Sequence, residues 1–413
     1  MKHTSYKSLV LGTLACLAVP AAAHASGYGL NDASVTALGR AYSDGALAGD
    51  DYSAIAYNPA AMQLGGTGVQ AGVTLVNLRS DVDGVNHRAD GDRAGHTGVN
   101  VSVGIPNFFA QYKVNDDMRV GFGVYVPFGL AIKYHDDWFA AEHGVTSDLQ
   151  VVDFSPAVSY QVVDGLTLGG AVNFRRTNVF LVSRQYAPGL PVDGRRNEFN
   201  LHDWGIGYTV GAMYELDENT RFGASYRSRS QHQIKGATKL VGGMWQPETT
   251  LPMDAPERFL LNGYHKVGDF GLSAGIEYLR WSRFDALRLN SAVARAEVGQ
   301  RWQNSWRVAV GADYYYSDEW TFRTGIGYDQ SPVPDSYWRT AAIADNDRWM
   351  LSLGASWKHE NLTVDFGYSF LYLGHYEVHN RRQNLAETPS VGRLDAKYDT
   401  YAHVVGVQFQ YAF

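Results

Sequence analysis

In Trp320-Thr321-Phe322-Arg323-Thr324-Gly325-Ile326-Gly327-Tyr328-Asp329 the even positions are mostly apolar and the odd ones polar or glycine. A period of two gives an extended strand two unlike faces, and no helix presents that pattern as a face. Three further segments repeat it: Trp306 to Tyr314, Trp349 to Trp357 and Leu362 to Phe370, each with aromatic residues near its ends. Such strands suit a wall that meets lipid on one side and carries an aromatic girdle at each interface.

The turns carry as much information as the strands. Tight polar turns stand at Asn115-Asp116-Asp117, Asp164-Gly165, Asp217-Glu218-Asn219, Gly268-Asp269, Asp318-Glu319 and Glu360-Asn361. They recur about every 50 residues, room for two strands and one long loop. Long loops are expected near 80–97, 133–147, 182–202, 236–255, 286–302, 331–346 and 379–398. Short connections at one end and long ones at the other belong to outer-membrane barrels; a soluble β-sandwich shares the alternation but not the rhythm. Six short turns, with a first and a last strand entering from the periplasm, predict an all-β, fourteen-stranded antiparallel transmembrane β-barrel over 67–413. In Val405-Gly406-Val407-Gln408-Phe409-Gln410-Tyr411-Ala412-Phe413 one face is wholly apolar. That suits a last strand paired to the first, leaving no edge in lipid. A terminal Phe413 with aromatics at alternate positions also fits the signal read by the barrel-insertion machinery.

Composition agrees. The 44 Gly, 26 Tyr, 18 Phe and 10 Trp come without a long apolar run, so apolar residues are spread along the chain. Lys2 and Lys7, the apolar stretch Ser8 to Val19, Pro20 and the small residues of Ala23-His24-Ala25 predict a secretory signal over 1–25. The single cysteine, Cys16, lies within it; Thr13 is not the bulky residue that a lipoprotein site would place ahead of it. The remaining chain then has no thiol for a disulfide, a zinc-thiolate site or a cysteine nucleophile. Removing two lysines and no acids takes the net charge from −7 to −9, which offers nucleic acid no basic face.

Residues 26–66 do not alternate. Asn31 or Asp32 is expected to cap a short helix on which Val35, Leu38 and Tyr42 share a face. The segment is the right size to fold inside a barrel lumen as a small helical hatch; the plainer alternative is a periplasmic tail. Gly27-Tyr28-Gly29-Leu30-Asn31, Leu38-Gly39-Arg40-Ala41-Tyr42, Ala48-Gly49-Asp50-Asp51 and Tyr57-Asn58-Pro59-Ala60-Ala61-Met62 resemble, in order and spacing, the N-terminal hatch of the FadL-type long-chain fatty acid transporters, a family that includes channels for aromatic hydrocarbons. The resemblance is specific over 26–66; beyond that it rests on strand count, turn rhythm and the terminal Phe. It implies a lumen plugged by the hatch, ligand capture between extracellular loops, and sideways exit into the outer leaflet through a gap at a kinked third strand. Asn58, Pro59 and Ala60 would sit at that gap; an ordinary Asn-Pro turn is the structural alternative.

The kink has support of its own. The third strand contains Pro127, which cannot donate to a ladder, and a closed barrel has no edge to hide it. Pro127, Phe128 and Gly129 therefore predict a local break in pairing, or else an early end of the strand near Val126. Leu130, Ile132, Trp138 and Phe139 are the candidate external capture surface, exposed if they bind ligand and buried if the loops pack on each other. Arg175, Arg227 and Arg323 are candidate lumen partners for a carboxylate, unless they pair with acids such as Asp313, Glu277 or Asp365.

No spacing supports a catalytic site, a cofactor or a metal. His375 and His379, four apart on a strand, would stand ~13 Å from one another, and Gly65-Gly66 lacks the Lys-Ser/Thr of a phosphate loop. The expected protein is a monomer in the bacterial outer membrane, in contact with its lipid and lipopolysaccharide. Its ligand is hydrophobic, a fatty acid or an aromatic hydrocarbon. A general diffusion porin or a surface adhesin is the alternative.

Overall fold

The computed structural model describes residues 27–88, 90–185, 196–240, 243–291, 295–343, 345–380 and 391–413; the proposed signal segment lies outside the described residues. Among these, fourteen strands follow one another around a single wall. They are β1 (Gly68–Arg88), β2 (Gly91–Lys113), β3 (Met118–Lys133), β4 (Thr146–Val163), β5 (Leu166–Arg184), β6 (Arg196–Glu215) and β7 (Thr220–Arg227, resuming as Ser230–Leu240). The second half comprises β8 (Met244–Ala255 and Arg258–Val267), β9 (Phe270–Leu279 and Ala286–Asn290), β10 (Arg295–Gly299 and Ser305–Tyr315), β11 (Trp320–Asp329), β12 (Arg348–His359), β13 (Leu362–His379) and β14 (Arg393–Ala412). Every neighbouring pair is antiparallel. β14 pairs with β1 from Gly68↔Ala412 to His87↔Arg393, which closes the barrel.

The period of two sorts side chains as expected. Along β11, Trp320, Phe322 and Ile326 face outward and are exposed, whereas Arg323 faces the lumen and is buried. Outward aromatics gather in two belts. Tyr226, Phe259, Tyr278 and Trp306 touch in series, at 4.9, 6.1 and 4.5 Å between rings. Phe270–Tyr314 and Tyr411–Phe413 mark the opposite, short-turn end.

All six tight turns fall between strands. Of the long connections, 133–147 and 331–346 lie between strands as expected, whereas two others differ. The stretch 80–97 is a hairpin in which β1 runs to Arg88 and β2 starts at Gly91, and 236–255 likewise belongs mostly to strands. Above the membrane a ladder still satisfies its backbone groups while its side chains turn polar, so the hydrophobic pattern fades before the strand does.

The N-terminal segment fills the lumen. Helix α1 (Val35–Gly39) is capped by Ser34, whose Oγ accepts from the Ala37 amide at 3.0 Å; the cap is thus neither Asn31 nor Asp32. Helix α2 (Ala54–Tyr57) leads into a 3₁₀ turn, Pro59–Leu64, where Asn58 Oδ1 accepts from the Ala60 amide at 3.2 Å and Pro59 supplies the fixed φ of a first helical position. Val35, Leu38, Ile55 and Met62 are fully enclosed.

Candidate functional site at the break in the third strand

Pairing between β2 and β3 stops at Phe108↔Val124, although both strands continue. On the other side of β3 the register with β4 slips between Tyr125 and Phe128, leaving Val126 and Pro127 without partners. β3 runs on to Lys133, so the chain does not end early. Past Val124 its alternation disappears, and every residue from Tyr125 to Ile132 is buried. Proline removes a donor, the ladder opens, and the outer half of the strand tucks into the barrel.

The segment Tyr28–Leu30 occupies the opened edge. Gly29 bridges Phe128, the Leu30 amide donates to the Pro127 carbonyl at 2.8 Å, and the Gly129 amide donates to the Tyr28 carbonyl at 2.8 Å. Tyr28 then projects into an aromatic cage of Trp281, Phe284, Trp302 and Phe128, with ring centroids 4.5 to 6.0 Å away. Its hydroxyl donates to the Asp254 carbonyl at 3.0 Å. Gly27 donates its amide to Asp345 Oδ2 at 3.1 Å; burial raises that loop carboxyl above its ordinary range despite Arg348 beside it.

A buried ionic cluster lies behind the break. Asp153, opposite Tyr125, takes a two-pronged contact from Arg175 (2.7 and 2.8 Å) and a third bond from Arg227 at 3.2 Å. Arg227 also donates to the Tyr125 hydroxyl at 2.5 Å and to the Ala56 carbonyl of the hatch at 3.1 Å. The Arg175 guanidinium lies 5.1 Å from the Phe128 ring centroid. Arg323, three strands from β14, instead binds Asp50 at 2.7 Å and approaches Asp313 at 3.5 Å. All three candidate arginines are therefore held by acids. Asp153 holds Arg175 and Arg227, while Arg323 pairs with Asp50 and with Asp313, one of the acids named from sequence. Glu277 pairs with Arg307, and Asp365 binds Gln408, Gln410 and Ser356.

Two expectations are corrected. Asn58, Pro59 and Ala60 are not at the break: Asn58 Nδ2 donates to the Ala212 carbonyl of β6 at 3.0 Å, and Pro59 and Ala60 lie on Gly169 of β5. A Cβ at Gly169 or Gly211 would overlap this stretch, so the wall is glycine where the hatch rests on it. Ile55 and Met62 are the hatch side chains that face β3, over Gly121 and Gly123. Leu130, Ile132, Trp138 and Phe139 are not exposed, for each is at most 8% accessible. Trp138 stacks on Tyr134 at 4.2 Å, its Nε1 donates to the Gly144 carbonyl at 2.9 Å, and Phe139 covers Gly95 on the stretch of β2 that pairs with β1 but has no β3 partner. A loop rich in apolar side chains lowers its hydration cost by packing them together over the open wall.

Sequence reasoning missed Tyr28, Tyr125 and Asp153. Asp153 carried a readable signal: it takes a lumen-facing position of β4 between Val151 and Ser155, where a carboxylate needs a buried cation. Tyr28 had none beyond its place in Gly27-Tyr28-Gly29.

Comparison with known proteins agrees with this architecture. The long-chain fatty acid transport protein of Escherichia coli strain CFT073 is 27% identical over 439 residues, 95% of each chain. A FadL homologue of Pseudomonas aeruginosa superposes with a TM-score of 0.83 at 22% identity, over 94% of this chain and 100% of that one. The Pseudomonas putida toluene transporter TodX superposes with a TM-score of 0.65 at 17% identity, over 88% and 94%. The model of the outer membrane protein transport family OMPP1/FadL/TodX matches residues 16–413. Spanning nearly the whole chain, that match makes this protein a member of the OMPP1/FadL/TodX family of the bacterial outer membrane.

Proposed function

We propose that the protein admits hydrophobic small molecules, long-chain fatty acids foremost, by passive diffusion and releases them sideways through the break beside β3. The observation that carries this reading is the bridge between Gly29 and Phe128: on the side of β3 that has lost β2, the strand's backbone is met by the short segment Tyr28–Leu30. Two backbone hydrogen bonds at ~1 kcal/mol each, with ~2–3 kcal/mol for the burial of Tyr28, hold it closed. A cage that accepts a phenol ring also accepts an acyl chain or a monoaromatic ring. A ligand preferring the cage emptied of Tyr28 therefore shifts the segment towards its released state by its own differential affinity.

Capture takes place among the external loops, whose apolar residues would open outward as the ligand enters. Asn58, Pro59 and Ala60, anchored on β5 and β6, act as the fixed point about which the segment Tyr28–Leu30 moves. The kinship with fatty acid transport proteins at 27% identity favours a fatty acid over toluene, whose transporter shares the fold at lower identity.

Proteoliposomes test the reading. Oleate should enter vesicles holding the protein faster than empty ones, while small sugars should cause no swelling. Swelling with sugars and no acceleration of oleate would make the protein a diffusion porin instead.

A further inference from the structure

The wall has a second interruption, between β6 and β7. Thr209↔Arg227 is the last pair on the short-turn side, and pairing resumes only at His202↔Lys235. One backbone bond, from the Ser228 amide to the Tyr208 carbonyl at 2.9 Å, reaches past that pair, and two side chains take up amides beyond it: Ser228 Oγ accepts from the Tyr208 amide at 2.9 Å, and Asp203 Oδ2 accepts from the Gln233 amide at 3.0 Å. On the lumen side the His232 imidazole fills the gap against Gly205, and its Nε2 shares a hydrogen bond of 2.9 Å with Ser230 Oγ. Ser230 in turn accepts from Arg175 at 2.5 Å, so the ionic cluster behind the β3 break also backs this one.

On the lipid side the interruption leaves a groove of about 610 Å³ lined by Phe174, Trp204, Gly205, Ile206, Arg229 and Gln231. That volume lies within the range of small-molecule sites, about 300–1,000 Å³. Tyr208, 6.0 Å from Tyr226, marks the outer aromatic belt. Ile206 and Trp204 lie two and four residues beyond it, about 7 and 13 Å along the strand, so the groove climbs from acyl chains into the headgroup layer. Its charge matches its depth. The Arg176 guanidinium lies 5.6 Å from the Trp204 ring centroid, and among the described residues neither Arg176 nor Arg229 has a carboxylate within ion-pair distance. The acids that face this region are Asp254, which interacts with Arg229 electrostatically and hydrogen-bonds Gln231, and Asp203, 3.8 Å from His232.

We propose that this groove is a membrane-facing binding site for an anionic amphiphile. The acyl chain comes up past the belt against Phe174 and Ile206, and a carboxylate or phosphate head meets Arg229 and, at the level of Trp204, Arg176. The site does not depend on the transport reading: either can fail while the other stands.

Trp204 supplies the probe. The detergent-solubilised protein and its Trp204→Phe variant are titrated with dibrominated stearate, with brominated phosphatidylglycerol, and with neutral dibrominated methyl stearate. Both positions lie on the outer surface, and heat-modifiable migration on gels verifies the barrel in each variant. The expected result is a saturable, Trp204-dependent quenching by at least one anionic probe and not by the ester. Arg229→Gln should raise the half-saturation point about tenfold, the lower range for a hydrogen bond to a charged group. Quenching by stearate alone identifies a cargo-like carboxylate, and quenching by the phospholipid alone a resident lipid phosphate; either supports the site. Absence of a Trp204-dependent component, equal quenching by the ester, or indifference to Arg229→Gln overturns it.

Discussion

Arg40 of the hatch donates through Nε to Asp313 of β10 at 2.6 Å, with both side chains withdrawn from solvent. The same guanidinium binds Asp50, which Arg323 of β11 grips at 2.7 Å. The hatch is thus fastened to the wall by a closed ring of two cations and two anions, on the far side of the lumen from the β3 break. Removing one member of such a ring leaves a buried charge uncompensated, at about 3–5 kcal/mol. Asp313→Asn should loosen the hatch by that order: proteoliposomes become permeable to small sugars, and amide exchange in residues 34–50 accelerates. The double variant with Arg40→Gln should recover part of the loss. Unchanged exchange in the single variant would show that the ring does not anchor the hatch.

Covalent closure of the segment Tyr28–Leu30 offers a second test. Gly29 and Phe128 are opposed in an antiparallel bridge, a geometry with Cα atoms about 4.5–5.5 Å apart, which a disulfide spans. The variant Gly29→Cys/Phe128→Cys should transport oleate under reducing conditions and stop when oxidised. Equal rates in both states would mean that the segment stays in place while cargo passes.

Adjacent glycines on β5 have opposite surroundings. A Cβ at Gly169 would collide with the backbone of Pro59 and Ala60, whereas at Gly170 its nearest contact would be the Thr209 carbonyl at 3.9 Å. Gly169→Ala should therefore cost about 1–3 kcal/mol through overpacking and raise sugar leakage. Gly170→Ala should behave as the parent protein. Equal melting temperatures for the two variants would rule out a close rest of the hatch on β5.

The external loop after β3 should respond to acid. His143 Nε2 bonds Asn86 Oδ1 at 3.1 Å, and Asn380 Nδ2 meets His143 Nδ1 at 2.8 Å. Asn380 Oδ1 already accepts from the Leu394 amide, so its amide group is the end turned to the ring, and the neutral imidazole satisfies both neighbours. Burial pushes the His143 pKa down to about 4. The unfolded loop binds its proton near 6.5 and the folded loop near 4. Stability is therefore complete above pH 6.5 and falls as pH drops between those values, by up to ~3 kcal/mol. The protection factors of amides over 134–145, taken relative to their intrinsic exchange rates at each pH, should fall from pH 7 to pH 4, and His143→Gln should flatten that profile. A profile identical in the variant would remove His143 as its origin.

The wall was legible because lipid on one side and lumen on the other impose an alternation that Trp320 to Asp329 displays without help. The same rule flagged Pro127, since a donorless residue in a closed ladder must break it. Legibility ended where contacts are made between segments far apart in the chain. Nothing near Leu130 or Trp138 announces that the loop folds down over β2, and nothing in Asn58-Pro59-Ala60 says which strands it will meet. Four strands are each split in two, β7 at Arg227 and β8 at Ala255 among them. Their polar interruptions resemble ordinary loop sequence, and only the closed register shows them to be gaps within a strand.

The hatch also touches both strands of the closing seam. Gln408 of β14 accepts from the Val35 amide at 3.1 Å, Gln70 of β1 accepts from the Tyr52 amide at 2.8 Å, and Gln70 donates to Gln408 across the seam at 2.8 Å. Residues 373 positions apart in the chain must meet for that lock to form, which places it among the slowest contacts to find. The lock exists only when hatch and both ends of the wall are in place together, so the seam is held from within the lumen by the segment it encloses, as a core keeps the halves of a mould in register.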